Sequence, residues 1–315
     1  MKKTVTRLIF PCLIGFLISS CSMRDIAVGI VADSMSASGD SSLFMGEDDP
    51  ELVGDAFPVL LKMFEALLQE SPDNAELHLT TGKGFIMYAN AYLHTPATML
   101  EDDEFERQKE MFRRAKRLYL RGRDYVLQAL ELKHPGFLQL LKQDQMELAL
   151  KSVTKDDVPS LYWAAAGWLG AYSTDALDFE LGATKHRPVT LMNHALLLDE
   201  SFNSGVIHGF FISYYGALPV SMGGSEVKAR YHFQKALEFS QGKNASPYVA
   251  LATTVSIKNQ DVNEFSRLLD EALMIDVDLY PDIRLVNILS QRKARWFLDH
   301  KNDKFLIESE DEEKK

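Results

Sequence analysis

Three observations make this an all-α chain. Apolar residues recur every three or four positions almost throughout. Prolines (Pro72, Pro96, Pro135, Pro159, Pro188, Pro247 and Pro281) fall at the joins between these periodic segments. Alternating, strand-like segments are few. The composition fits a globular body, with 46% hydrophobic and 25% charged residues in 315. The net charge of −11, from 34 basic and 45 acidic residues, argues against a nucleic-acid binder, which needs a basic face.

Taken in order, the first element is not part of the fold. Lys2, Lys3 and Arg7 precede the short apolar run Leu8 to Ile18, and Ile18-Ser19-Ser20-Cys21 closes it like a lipobox. The run is too short to span a bilayer, so residues 1–20 read as a lipoprotein signal peptide. Cys21 is the expected lipid attachment, and three acyl chains there would anchor firmly where one would not. Cys12 leaves with the signal, so disulfides, thiolate metal sites and cysteine nucleophiles are excluded together. Residues 21–48 form a Ser-, Gly- and Asp-rich tether, whose stretch Asp25 to Val31 is apolar enough to dock on the body. Residues 49–307 form the body and 308–315 a charged, solvated tail. Ser22 after Cys21 is not an aspartate retention signal, which points to the outer membrane.

Asp49-Pro50 is an N-cap followed by proline at the first helical position, so the body opens with a helix over 51–70. Helices follow over 74–93, 103–132, 135–150, 157–175, 189–198, 201–216, 224–240, 247–258, 261–274 and 281–299. The clearest is 103–132, where Met111, Ala115, Leu118, Gly122, Tyr125, Ala129 and Leu132 make one stripe behind an acidic start. The spacing Ala229-x3-Phe233-x2-Ala236 is that of a tetratricopeptide-repeat second helix. Small residues let a neighbour approach, and the aromatic fills the gap. Phe265, Leu269 and Ala272 repeat it; Gly122, Val126 and Ala129 echo it; Val59, Met63 and Ala66 echo it faintly. The closing alanines fall at 66, 129, 195, 236 and 272. The final step is close to one repeat of about 34 residues and the first two are close to two. The expectation is a superhelix of about four degenerate hairpin repeats plus extra helices.

Chemistry is sparse. Eight histidines are scattered with no i, i+4 pair, so no metal site is expected, and no cofactor motif is present. Thr81-Gly82-Lys83-Gly84 lacks the rest of a phosphate loop and reads as packing glycines. Ser221 in Pro219-Val220-Ser221-Met222-Gly223 lacks the first glycine of a nucleophile elbow. Glu200-Ser201-Phe202-Asn203-Ser204 partly matches the Glu-Ser-x-Phe motif of lytic transglycosylases, without the Gly-rich segment that should follow. Glu200 is therefore the one enzymatic alternative, peptidoglycan cleavage, and no enzyme is expected. Eight cations between Arg107 and Arg123 form either a solvated helix face or a docking patch for an acidic partner or lipid headgroups. Tyr162, Trp163, Trp168 and Tyr172 surround small residues on one helix. Phe210, Phe211, Tyr214 and Tyr215 crowd another that carries Gly205, Gly209 and Gly216. These eight aromatics either line a channel or groove or receive glycines as core packing.

The start Asp48-Asp49-Pro50-Glu51-Leu52-Val53, the turn Ala66-Leu67-Leu68-x-x-x-Pro72-x-Asn74 and the Tyr162-Trp163 and Trp168-x-x-Ala171-Tyr172 helix carry a resemblance. With the lipobox and the repeats, the chain resembles the TatT family, tetratricopeptide-repeat lipoproteins associated with TRAP transporters. The resemblance implies a non-enzymatic partner of a periplasmic solute-binding protein that feeds a secondary transporter. It also implies a homo-oligomer, a trimer being one form, and a channel for hydrophobic or amphipathic ligands. Docking is expected on the inner face of the superhelix, the usual binding surface of helical repeats. An envelope-assembly scaffold is the alternative of the same class.

Overall fold

The structure is a computed structural model that describes residues 44–306. The signal peptide, Cys21, most of the tether and the acidic tail lie outside the described residues.

The described chain folds into α1 (Pro50–Glu70), α2 (Ala75–Ala89), α3 (Phe105–Lys133), α4 (Phe137–Lys142) and α5 (Met146–Leu150). After these come α6 (Val158–Thr174), α7 (Phe179–Thr184), α8 (His186–Leu198) and α9 (Phe202–Ala217). The series ends with α10 (Glu226–Ser240), α11 (Ser246–Leu251), α12 (Val262–Leu273) and α13 (Arg284–Asp299). No strand occurs among the described residues. Side-chain caps set many of the starts. Asp49, Asn74, Asp178, Ser225 and Asp261 each accept the N–H three residues on, which satisfies a donor the helix itself leaves free.

The helices pair as hairpins: α2 with α3, α6 with α8, α9 with α10, and α11 with α12. The first helix of each hairpin also touches the first helix of the next, so α2, α6, α9, α11 and then α13 form one layer. This is the packing of helical-hairpin repeats, four in number among the described residues. The expected second-helix motif falls on the second layer: Ala129 on α3, Ala195 on α8, Ala236 on α10 and Ala272 on α12 are all buried. Small side chains there let the hairpins close. Two apolar clusters meet on α9, where Phe211 belongs to the first and Ile212 to the second.

The structure departs from the sequence expectation at identifiable places. The faint repeat echo on α1 is not one: Val59, Met63 and Ala66 are exposed, and the buried stripe is Val53, Phe57, Leu61, Phe64 and Leu68. The helix expected over 135–150 is two. Asp144 takes φ 61 and breaks it, and its carboxylate bonds His186 and Arg187 at the start of α8. The short α7 was not expected. Pro58 lies inside α1 rather than at a join. Wide π turns at Asn90–His94 and Ala252–Ser256 continue α2 and α11, a geometry that apolar periodicity does not report.

Candidate functional site

The first layer closes on itself. α1 packs on α2 and reaches α13, so α2, α6, α9, α11, α13 and α1 form a ring in which each helix touches the next. Helices pack roughly 8–10 Å apart, and six cylinders in a ring leave central room about as wide as a seventh. No described helix fills it. α4 attaches to α3, α5 to α8, and α7 to α6 and α8. The seam is held by a two-bonded Arg292–Glu51 pair and by the Leu285 N–H, which donates to the Met45 carbonyl at 2.8 Å. The Arg284 guanidinium adds a bond to the Gly46 carbonyl at 3.1 Å.

The clearest half-buried stripes are on α6 and α9. On α6 the stripe holds Tyr162, Trp163, Ala166 and Leu169; on α9, Val206, Gly209, Phe210 and Tyr214. A Cβ built on Gly209 would meet nothing within 4 Å, which marks open space beside the middle of α9. The two helices lie side by side. Tyr162 lies 5.7 Å from Phe202, and Tyr172 is an electrostatic neighbour of Tyr214. Burial pushes the Tyr162 hydroxyl up to about 12 although its ring keeps some accessible surface.

The structure therefore divides the eight aromatics. Tyr162, Trp163, Phe210 and Tyr214 share the half-buried stripes. Trp168 is 6% exposed, with the Arg123 guanidinium 4.9 Å from its ring, and packs in the core. Phe211 is fully buried and stacks on His232, as does Tyr215. Tyr172 is half-buried beside α7, against Gly182. Glycine packing also occurs: Gly170 receives the Tyr119 ring and Gly167 the Ile86 side chain.

Charge on the ring is segregated. α6, α9 and α11 contain no Asp, Glu, Lys or Arg. The half-buried stripe of α2 carries Lys83, Met87, Ala91 and His94, that of α13 Leu289, Lys293 and Phe297. Lys293 is pulled below the usual lysine range by burial, and its ammonium stands 5.8 Å from the Phe297 ring. Lys83 is lowered to about 8 by the same loss of water, with Glu76 opposing. His94 is held neutral, its pKa lowered to about 4 by burial and then by Lys293, and its Nδ1 lies 3.1 Å from the Tyr119 hydroxyl. Sequence reading missed Lys293 and His94, and saw Lys83 only as a failed phosphate loop. Their one signal was a cation at ring-helix spacing, which needs the ring to be recognised.

The other candidates have structural employment. Glu200 stands 3.4 Å from Nε2 of buried His208, whose Nδ1 lies 2.8 Å from Nδ1 of His232. Its side chain is 46% exposed, a poor place to raise a general acid. Ser152, His134 and Asp157 touch in sequence, at 3.0 Å and 3.0 Å. Asp157 also accepts from the Thr154 N–H and hydroxyl in a capping box, so the trio clamps the end of α3 to the start of α6. Five of the eight cations in the basic run on α3 are paired, Arg123 with its neighbour Asp124. Arg107 bonds Glu104, Arg113 pairs with Glu110, Lys116 bonds Asp175 and Asp178, and Arg121 pairs with Glu65. No cluster of metal-ligating side chains occurs among the described residues.

Fold and site thus define a ring of helical-hairpin repeats around an uncharged, aromatic interior with cations on one side. The family profile described as TRAP transporter T-component matches residues 46–305. A relative from Treponema pallidum (strain Nichols), described as an uncharacterized protein, is 33% identical over 305 residues, covering 92% of this chain and 94% of its own. The chain belongs to the TRAP transporter T-component family, a transporter component rather than an enzyme family. No described helix is long and apolar enough to cross a membrane.

Proposed function

We propose that this protein is a lipid-anchored, periplasm-facing scaffold that docks the solute-binding protein of a TRAP-type transporter. On this reading the hollow of the ring receives a hydrophobic or amphipathic ligand at that contact. The observation that carries it is the closed ring whose α6 and α9 stripes are aromatic and uncharged, with open space at Gly209. A hollow one helix wide cannot admit a folded domain, so the partner docks at a mouth or on the outside rather than on the inner face. The anchor is Cys21, with the outer membrane as its address, and the assembly is a homo-oligomer.

Crosslinking and affinity capture of the native lipoprotein from its own cells, read by mass spectrometry, is the first test. Reproducible recovery of a periplasmic solute-binding protein is expected. Recovery of envelope-assembly proteins or peptidoglycan fragments instead would replace this reading by a scaffold or a lytic role. Metabolic labelling with palmitate should mark the wild type and not Cys21→Ala. Trp163→Ala or Phe210→Ala should weaken ligand binding beyond any loss of stability; if stability alone falls, those rings are packing.

A further inference from the structure

We propose that the hollow is a binding site for an amphipathic monoanion, its apolar body against α6 and α9 and its anionic head against the Lys293 ammonium. This rests on the reading of the hollow as a ligand site and names the class of ligand.

The argument is one of charge placed against its absence. Of the ring helices, α6, α9 and α11 present no charged residue at all, so whatever lies against them gains only by being apolar. Across the ring from α6, Lys293 is half-buried on α13. Its turn-neighbours Leu289 and Phe297 flank it, and the exposed Arg292 and Arg295 lie on the far side of the helix. Among the described residues no carboxylate pairs with Lys293; its ammonium has the Phe297 ring at 5.8 Å and His94 as electrostatic neighbour. A cation deprived of water and given no counter-charge is costly, and an anion arriving beside it recovers that cost. Lys83 on the stripe of α2 already has a partner of its own, and His94 stays neutral, so it neither repels Lys293 nor competes for the anion. One head group matches this arrangement. A dianion would have to place its second charge against the uncharged faces, and a neutral lipid would leave Lys293 as it is.

The test uses the chain from Ser22 to its last residue, without signal peptide or lipid anchor, and two fluorescent probes, cis-parinaric acid and its methyl ester. The acid should bind at least tenfold more tightly than the ester. Lys293→Met keeps the length and removes the charge, so it should bring the two probes to within about twofold while leaving ester affinity unchanged. Lys293→Arg should retain the preference. Gly209→Phe, at a position where a Cβ meets nothing, should reduce binding of both. Equal affinities in the wild type, or a preference that survives in Lys293→Met, overturns the anion site and leaves the apolar hollow standing. Failure of both probes to bind overturns the ligand hollow itself, and this assignment with it.

Discussion

Gly82 and Gly122 show how little room a residue can need. A Cβ on Gly122 would lie 2.7 Å from the Gly82 carbonyl oxygen, and one on Gly82 would lie 2.5 Å from the Gly122 oxygen. The two backbones touch where α2 crosses α3, which is why Gly82 in Thr81-Gly82-Lys83-Gly84 belongs to packing. Gly122→Val must push the helices apart at a site buried by the core, and should cost about 3 kcal/mol in urea unfolding. A second residue-scale effect concerns protons. His232, buried between Phe211 and Tyr215, is lowered to about 4, chiefly by burial. The unfolded chain takes that proton near pH 6.5, so between about pH 6.5 and pH 4 it binds more protons than the fold does, and stability falls as the pH falls. His94 acts in the same direction. Urea unfolding should therefore show a loss on the order of 2 kcal/mol per histidine between pH 7 and pH 5. His232→Gln should flatten part of that slope, and an unchanged slope would mean the ring is protonated in the fold.

At the scale of the element, α9 begins in an unusual way. Asn203, Ser204 and Gly205 all have left-handed backbone (φ 43, 55 and 82), one short turn of the wrong hand before Val206. L-residues pay for that conformation, and only Gly205 is suited to it. Ser204 is exposed, so Ser204→Gly should relieve the strain and stabilise by about 0.5–1 kcal/mol, measured by thermal unfolding. A lower Tm would mean that the turn is held by the serine side chain. The same element accounts for a partial likeness: Glu200-Ser201-Phe202, which matches a catalytic motif in part, is the approach to this turn. The break at Asp144 was equally hidden, because apolar spacing runs on through a residue whose left-handed φ is fixed by partners on α8. By contrast the motif alanines were legible, since a small residue at a close helix crossing is written locally.

For the whole molecule the decisive fact is closure. The contacts that join α13 to α1 and to the segment before it include Arg292 with Glu51, Arg284 with Gly46 and Leu285 with Met45. Exposed ion pairs contribute about 0–1 kcal/mol each, so the double substitution Arg284→Ala and Arg292→Ala should lower Tm only slightly. Its expected effect is local, with faster amide exchange in α1 and α13 and little change in α6 to α10. Exchange that rises uniformly would mean that the ring has no separable seam.

Helical content, the second-helix motifs on α3, α10 and α12 and the opening cap at Asp49-Pro50 were determined by the sequence alone, because each depends on residues within a turn or two of one another. The sequence also marked the aromatic helices, and with them Tyr162, Trp163, Phe210 and Tyr214. It could not separate these from Trp168 and Phe211, whose difference is only which side of a helix meets a neighbour. That the repeats close into a ring was decided by contacts between residues some 240 positions apart, such as Arg292 and Glu51. The position of Lys293 across the ring from the uncharged α6 follows from that closure, since a side chain acquires an inside only when the chain returns to its start.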